Sequence, residues 1–335
     1  MKAIELQAAG TGRALTLVDR EVPTPAPHQV LLRMRAASIN YRDAEIVSGH
    51  FSFPIPLPFV PLSDGVGEVV ATGSAVRRFR SGMRAVATFW EDWIDGPFDP
   101  LAAGRARGGP LDGVLAEYVL VDEACAVAVP DEVSDATAAC LPCAGTTAWH
   151  ALFVHATLLP GHVVLIHGTG GVALWAAQLA LLAGATVVVT TRGRDKVERL
   201  QRLGVHHVVD RLAEADWPAA VQARVGHVDQ VLDPVGGEVL KRSLPLLRAS
   251  GIVHLVGYRE SKDSSLDSWP LFASKVQVRA TAVGSRASLD ALVRAAAARR
   301  TEAVIDRSFA WTDVAAALAH VEAGRHFGKV VLTWN

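Results

Sequence analysis

The chain has 335 residues, half of them hydrophobic, and a formal net charge of -1 at pH 7. This length suffices for about two domains, each with its own core. The near-neutral charge, without a cluster of Lys and Arg, argues against nucleic acid as a partner and favours small ligands.

The start of the chain and its longest apolar stretch predict a cytoplasmic protein. Residues 1–7 lack the apolar core and cleavage site of a secretory signal. Residues 172–189 approach membrane length, but Gln178, Gly184 and Thr186 interrupt them. We therefore expect a helix, a turn and a strand there, and no membrane partner.

Cysteine usage favours reduced thiols. The three cysteines, Cys125, Cys140 and Cys143, cannot form a paired disulfide framework, and their spacing gives no four-ligand zinc site. We expect them to be buried and free.

Two textures alternate along the chain. Up to about residue 123, short β-like runs such as residues 29–35 and 67–71 are separated by Pro and Gly. Residues 54–61, with prolines at 54, 56, 58 and 61, predict a stiff loop. From residue 161, strands predicted at 163–166, 186–189, 208–209, 230–232 and 252–256 alternate with helices at 172–183 and 195–203. This alternation predicts an α/β fold with a doubly wound parallel sheet. After residue 262 we expect mixed structure, with helices at 288–299 and 312–323.

A glycine-rich turn follows the strand predicted at residues 163–166. The turn reads His167, Gly168, Thr169, Gly170, Gly171, Val172 and Ala173, a G-x-G-x-x-A pattern that opens an apolar helix. Gly168 permits the tight turn, Gly170 lets a pyrophosphate approach the backbone, and the helix N-terminus attracts its charge. The order of strand, turn and helix predicts a dinucleotide site instead of a purely structural turn.

The end of the next strand favours NADPH over NADH. An NAD site usually has Asp or Glu there, whereas this chain has Thr191, Arg192 and, further on, Lys196. Hydroxyls and cations suit a 2′-phosphate, with Arg192 as the best bidentate candidate. The alternative is an ordinary solvated helix start with Asp195 as its N-cap.

A series of motifs extends over nearly the whole chain. They are residues 37–43 (ASINYRD), 61–69 (PLSDGVGEV), 141–149 (LPCAGTTAW), the glycine turn, 233–237 (DPVGG), 283–286 (VGSR) and 326–331 (HFGKVV). Together they resemble the medium-chain dehydrogenase/reductase superfamily, and most closely its zinc-independent quinone oxidoreductase-like and alcohol dehydrogenase-like branch. The resemblance implies a GroES-like, mostly β catalytic domain at residues 1–123, a Rossmann domain at 124–262 and a C-terminal segment, 263–335, that completes the catalytic domain. It also implies a homodimer or homotetramer.

The departures from zinc-dependent members predict that no zinc is bound. The resemblance aligns Asn40 or Tyr41 with a ligand cysteine and Ser63-Asp64 with a His-Glu pair, so only Cys143 matches a ligand position. One thiolate cannot hold a catalytic zinc at useful affinity. Residues 89–111, the region of the four-cysteine lobe in zinc-dependent relatives, also lack cysteine.

Hydrogen-bond donors must then stabilise the negative charge that hydride transfer builds on oxygen. Tyr41 can donate through its phenol and Asn40 through its amide, although Tyr41 can equally be a packed aromatic residue. Asp43 and Asp64 match positions that border the cleft in the family, with helix capping or turn bonding as the alternative.

The resemblance implies further contacts to the cofactor. Besides Asn40, these are Cys143, Thr147, Gly257, Tyr258, Val283, Ser285, Arg286 and Lys329. For Thr147 the alternative is helix packing, and for Arg286 it is an ion pair. His50, His167 and His254 have no partner set by spacing and are predicted to be structural.

Phe89, Trp90 and Trp93 lie close together in a chain with few aromatics, and indicate either an apolar substrate wall or an interface. The sequence predicts an NADPH-dependent oxidoreductase that reduces a hydrophobic quinone or α,β-unsaturated carbonyl compound. A zinc-free alcohol dehydrogenase or carbonyl reductase uses the same residues. A catalytically silent NADPH-binding regulatory protein is the alternative from another class.

Overall fold

A computed structural model describes residues 1–10, 12–262, 265–266 and 268–334. Within these residues the strands, in chain order, are β1 (Lys2–Ala9), β2 (Gly12–Asp19), β3 (Gln29–Ile39), β4 (Asp64–Thr72), β5 (Arg84–Ala87), β6 (Tyr118–Asp122), β7 (Ala126–Val129), β8 (Val163–His167), β9 (Thr186–Thr191), β10 (His207–Asp210), β11 (Val228–Asp233), β12 (Leu247–Leu255), β13 (Gln277–Ala280), β14 (Ile305–Ala310) and β15 (Lys329–Thr333). The α-helices are α1 (Tyr41–Ser48), α2 (Asp135–Ala138), α3 (Thr146–Trp149), α4 (Gly171–Leu182), α5 (Arg194–Arg202), α6 (Trp217–Val225), α7 (Gly237–Ser243), α8 (Ser268–Ser274), α9 (Arg286–Arg299) and α10 (Val314–Glu322).

The chain divides into two compact units. One comprises Met1–Thr146 with Val283–Asn335, and the other comprises Thr147–Ala282. Both boundaries lie later in the chain than the predicted ones at 123 and 262. Strand pairing is the reason: β7 pairs with β5 in the first unit, and β13 pairs with β12 in the second.

The first unit is mostly β. Its larger described sheet has the order β14-β15-β3-β4-β5-β7, with β6 also paired to β3, and β1 and β2 form a separate hairpin. The strands predicted at residues 29–35 and 67–71 are confirmed inside β3 and β4. The proline-rich segment 54–61 lies outside the helices and strands, as predicted, and is tied to β1 through backbone bonds between Phe59 and Leu6. The inclusion of Val283–Asn335 in this unit agrees with the C-terminal segment that the resemblance implied would complete it.

The second unit has the predicted Rossmann sheet. Its described strands run in the order β10-β9-β8-β11-β12-β13, and each neighbouring pair is parallel. β8 and β9 are rich in β-branched residues and mostly buried, as expected for strands covered on both faces. The order reverses between β8 and β11, so a crevice opens at the carboxyl ends of these strands.

The apolar stretch 172–189 forms α4, a turn and β9, as predicted. α4 is apolar on all sides and mostly buried, which explains its membrane-like composition. Among the described residues, no helix combines the length and the hydropathy that a membrane span requires.

Candidate active site and cofactor site

The glycine turn of the second unit presents open backbone at the start of α4. Gly168 has a φ of 85°, in the left-handed region, and Gly170 is the N-cap of α4 without any capping side chain. A Cβ built on either glycine meets no atom within 4 Å. Thr169 is buried before the helix, whereas Gly171 and Val172 form its first turn. The two glycines thus leave room beside the helix N-terminus, which suits a diphosphate.

His167, at the start of this turn, bonds to β9 and to α7 through its two ring nitrogens. Its ring is buried, with Nδ1 2.7 Å from Thr190 Oγ1 and Nε2 2.8 Å from Ser243 Oγ. Because the Ser243 hydroxyl donates to Val239 O, its oxygen must accept from the imidazole, so Nε2 carries the hydrogen. Burial lowers the pKa of His167 to about 3. The predicted structural role fits both bonds.

The end of β9 carries the predicted phosphate ligands. Thr191 is buried, and among the described residues its Oγ1 has no hydrogen-bond partner. Arg192 is exposed beside it, and Lys196 lies in the first turn of α5. The suggested capping role of Asp195 is wrong, because Gly193, with a φ of 101°, is the N-cap of α5.

Arg211 lies at the same edge of the sheet. It was not among the residues predicted from the sequence. It follows β10, and its backbone N–H donates to Thr191 O at 2.9 Å. Its Nε is buried without a hydrogen-bond partner among the described residues. Burial and the neighbouring Arg192 guanidinium lower the pKa of Arg211. The usable signal was its position two residues after the strand predicted at 208–209.

Asp233 and Gly257 shape the crevice on the other side of β8. Asp233 ends β11, and its Oδ1 accepts the N–H groups of Val235 and Gly236, while Oδ2 lacks a partner within the described chain. A Cβ on Gly257 would lie 2.6 Å from Pro234 O, so only glycine fits there. The next residue, Tyr258, is partly exposed with the Lys262 ammonium 5.2 Å from its ring centre.

A stack of imidazoles lies inside the second unit. His254 is buried with Nε2 3.1 Å from Gln230 Oε1, and its ring centre is 6.5 Å from that of His155. His155 Nδ1 lies 2.9 Å from Thr281 Oγ1. Burial lowers the pKa of His254 to about 3 and that of His155 to about 4. Thr147, the first residue of this unit, is also buried.

In the first unit, Asn40 lies between the end of β3 and the start of α1. Asn40 is the N-cap of that helix, and its backbone N–H donates to Asp43 Oδ2 at 2.8 Å. Asp43 is buried, and burial raises its pKa to about 6. The structure places Asp43 in the capping role that was the alternative to a catalytic one. Tyr41, the first helical residue, is 42% exposed.

A buried chain of hydrogen bonds links the other polar residues of this region. Lys329 Nζ donates to Asn40 Oδ1 at 2.6 Å, and Asn40 Nδ2 donates to Ser63 Oγ at 3.3 Å. The Ser63 hydroxyl then donates to Asp64 Oδ1 at 2.6 Å, and Asp64 Oδ2 accepts the backbone N–H of Cys143 at 2.9 Å. Burial raises the pKa of Asp64, and the Lys329 ammonium opposes that rise. Residues distant in sequence thus meet at one place.

Cys143 borders the aromatic cluster, which packs on itself. Phe89 and Val283 are buried in one apolar group, with Cys143 and Trp90 packed against it. The ring centres of Phe89 and Trp90 are 4.7 Å apart, and those of Trp93 and Phe98 are 4.9 Å apart. These rings therefore pack on one another as a small core, a role that is compatible with the predicted substrate wall or interface. Burial raises the pKa of the Cys143 thiol.

Two buried apolar residues beside these groups have strained backbone. Leu62, just before Ser63, has a φ of 70°, and Val283 has a φ of 64°. Left-handed backbone is unfavourable for a side chain with a Cβ, and most of all for a β-branched one. Tertiary packing must hold both residues in place.

The predicted contacts Ser285 and Arg286 begin α9. Ser285 Oγ accepts the N–H of Ser288 at 3.2 Å as the N-cap. The backbone N–H groups of Arg286 and Ala287 donate to Trp93 O and Ile94 O. Because these carbonyls occupy the first donors of the helix, its N-terminus is not an open anion site.

Residues 1–10, 12–262, 265–266 and 268–334 contain no group of three or more His, Cys, Asp or Glu side chains that could hold a metal ion.

Comparison with known proteins places this architecture among dehydrogenases. Residues 26–131 match the alcohol dehydrogenase GroES-like domain, and residues 171–298 match the zinc-binding dehydrogenase domain. A zinc-type alcohol dehydrogenase-like protein of Schizosaccharomyces pombe is 32% identical over 323 residues, which cover 94% of this chain and 93% of the relative. A chloroplastic quinone-oxidoreductase homolog of Spinacia oleracea is 36% identical over 219 residues, or 63% of this chain and 61% of the relative. The crystal structure of a protein assigned as an alcohol dehydrogenase from Sinorhizobium meliloti 1021 superimposes over 100% of both chains, with a TM-score of 0.92 and 37% identity.

Proposed function

Since the chain belongs to the medium-chain dehydrogenase/reductase family of oxidoreductases, we propose that it is an NADPH-dependent, zinc-independent enzyme that reduces a quinone or an α,β-unsaturated carbonyl compound. The observation that carries the cofactor assignment is a pair of buried donors, Thr191 Oγ1 and Arg211 Nε, at adjacent strand ends, neither of which has a hydrogen-bond partner among the described residues.

A 2′-phosphate would satisfy these donors. An unpaired buried polar group costs about 1–3 kcal/mol, so a site that keeps two of them gains free energy when an anion arrives. Arg192 adds a second guanidinium close enough to lower the pKa of Arg211. A dianion between two guanidiniums would relieve that repulsion, whereas the uncharged ribose hydroxyl of NADH would not.

The donor set of the first unit supports zinc independence. By the family resemblance the partly buried Cys143 is the one residue that matches a ligand position, and a single thiolate cannot hold a catalytic zinc at useful affinity. Both carboxylate oxygens of Asp64 accept hydrogen bonds, and an ammonium begins the same chain of bonds. A dication beside Lys329 would be repelled, so these residues do not fit a catalytic zinc.

Hydrogen-bond donors in the first unit can stabilise the negative charge that a zinc ion would otherwise stabilise. Bound NADPH supplies a hydride, and the substrate carbonyl oxygen gains negative charge as it is accepted. Asn40 and Tyr41 stand together at the start of α1 and can donate to that oxygen, while solvent or Tyr41 supplies the proton. In the next loop Phe53 is largely exposed, with its ring centre 5.8 Å from that of the partly buried Phe51, and this apolar surface supports an apolar substrate.

The cofactor part is tested by calorimetric titration of the metal-free protein with NADPH and NADH. We expect tighter binding of NADPH by on the order of tenfold or more, and loss of that preference in Arg211→Met. Arg194→Met, at an exposed position in α5, is the matched control and should retain it. Equal affinities in the wild type would contradict the NADPH assignment.

The reaction is tested by following the absorbance of the reduced nicotinamide with 1,4-naphthoquinone, cinnamaldehyde, benzalacetone and secondary alcohols. Turnover of the first three supports the proposal, whereas exclusive oxidation of the alcohols favours the zinc-free alcohol dehydrogenase. Tight NADPH binding without any turnover would indicate the silent regulatory protein. Elemental analysis that finds one zinc ion per chain would overturn zinc independence.

A further inference from the structure

Lys329 lies where an ammonium group is costly to bury. It is the first residue of β15 and only 4% exposed. Its Nζ donates to two neutral oxygens, Ile39 O at 2.7 Å and Asn40 Oδ1 at 2.6 Å. The buried carboxyl groups of Asp64 and Asp43 are near enough for its charge to lower their pKa values, although its hydrogen bonds go to the two neutral oxygens.

The hydrogen bonds that start at Lys329 can run in one direction only. An ammonium has donors and no acceptor, so the carboxamide oxygen of Asn40 must face it and the amide nitrogen must face Ser63. The Ser63 hydroxyl donates its hydrogen to Asp64, so its oxygen can only accept from Asn40. The amide orientation therefore follows from the chemistry of its neighbours.

We propose that Lys329 is a positioning residue that orients and polarises the Asn40 carboxamide, so that the second N–H of Asn40 Nδ2 donates to the substrate oxygen that becomes negative. One N–H faces Ser63 Oγ and the Asp64 carboxylate that is bonded to it, and the other remains for this bond. The positive charge of the ammonium beside the carboxamide oxygen polarises the amide and strengthens its N–H groups as donors. The inference rests on the proposed function, because it names the donor that replaces a metal.

This role differs from the cofactor contact that the family resemblance implied for Lys329. The bonds seen in the first unit end on Ile39 and Asn40, and the carboxylate that completes the chain is Asp64. A positioning residue should affect the chemical step through Asn40, whereas a cofactor ligand should affect nucleotide affinity.

The amide orientation can be read without activity, because the chain contains two asparagines, Asn40 and the last residue, Asn335. Cell-free synthesis with ¹⁵N-asparagine gives two side-chain amide signals, which Asn335→Ser assigns. We expect the Asn40 hydrogens to exchange slowly in the wild type. The Asn40 signals should shift and exchange faster in Lys329→Met, and stay close to the wild type in Lys329→Gln, whose amide can still donate to Oδ1. Unchanged Asn40 signals in Lys329→Met would overturn the proposal.

Kinetics with 1,4-naphthoquinone and NADPH test the consequence. Lys329→Met should lower kcat on the order of tenfold to a hundredfold, with the dissociation constant of NADPH unchanged, and Lys329→Gln should recover part of the loss. In an Asn40→Ala background, Lys329→Met should have no further effect. Weaker NADPH binding with little change in kcat, or additive losses in the double variant, would overturn the role.

The two proposals fail in different ways. If the wild-type protein turns over no member of the substrate panel, the proposed function is contradicted. The amide signals of Asn40 still show whether Lys329 orients its carboxamide. A folding defect is recognised from circular dichroism, and Lys329→Gln then carries the test alone.

Discussion

Arg42 joins three segments of the first unit through one side chain. Its guanidinium donates to Arg107 O at 3.1 Å and Gly109 O at 2.7 Å, and it lies over the rings of Phe51 and Phe89, 5.3 and 4.8 Å from their centres. We expect Arg42→Met to lower the free energy of unfolding by about 2–4 kcal/mol, because buried carbonyls lose their donors and Asp43 loses a nearby cation.

Urea unfolding of the purified variant measures this loss. Arg194→Met removes an arginine whose side chain is 93% exposed, and should change stability by less than about 0.5 kcal/mol. Equal stabilities of the two variants would show that the Arg42 bonds contribute nothing net.

Single residues could be predicted from sequence when a local motif decides their place. Gly168 and Gly170 belong to a turn whose residue types follow from its backbone, and Asp43 stands three residues after an N-cap. Arg211 and the bond between Lys329 and Asn40 could not be predicted, because their partners are brought together by the sheets.

At the scale of elements, α9 ends on a residue that is poorly suited to its place. Arg300, the C-cap, has a φ of 48° and donates its N–H to Ala296 O and Ala297 O. Because glycine adopts this conformation without a Cβ penalty, Arg300→Gly should raise the free energy of unfolding by about 0.5–1 kcal/mol. Arg299→Gly, at the last residue of the helix, should lower it by up to about 1 kcal/mol, the cost of glycine in a helix interior. Thermal unfolding of the pair decides, and a loss in both variants would refute the conformational argument.

Long, periodic elements were predicted from sequence more reliably than short ones. The helices expected at residues 172–183, 195–203, 288–299 and 312–323 correspond to α4, α5, α9 and α10. The shorter or irregular elements α6, α7, α8 and β13 were not predicted from the sequence. β13 has four exposed residues without alternation, so only its pairing with β12 defines it.

At the scale of the whole molecule, buried imidazoles make stability depend on pH. His167 and His254 keep pKa values near 3, and His155 near 4, below the ordinary 6.5, so the unfolded chain binds more protons below pH 6.5. Stability should be complete above pH 6.5 and fall toward pH 4. Each buried histidine costs about 1.4 kcal/mol per pH unit, and half-buried His155 costs less because solvent screens it. Asp43, with a pKa of about 6, opposes this trend below pH 6.

Urea unfolding at pH 7.5 and 5.5 measures the difference. The free energy of unfolding should be lower at pH 5.5, and His155→Gln should reduce that dependence, whereas exposed His50→Gln should leave it unchanged. Equal or greater stability at pH 5.5 would show that the unfolded chain takes up no excess protons.

An open sheet edge supports the expected self-association, which remains a proposal. β13 is the last strand of the described second sheet, all its residues are exposed, and the helix before it exposes Trp269 by 72% and Phe272 by 74%. A second copy could add its own β13 across a twofold axis. Val278→Lys combined with Trp269→Lys should therefore give monomers in sedimentation velocity. Leu101→Lys, in the other unit, should leave the wild-type species, and a monomeric wild type would contradict the proposal.

The order of strand, glycine turn and helix, the alternation of elements and the motif series were sufficient to determine the fold class and the oxidoreductase family from the sequence alone. These features are local in sequence, and backbone conformation and hydrophobic periodicity act over a few residues. The direction of the Asn40 amide, the buried donors of Thr191 and Arg211, and the strained backbone of Leu62 and Val283 were decided only by tertiary structure. Each depends on burial and on partners distant in sequence, which no local pattern specifies.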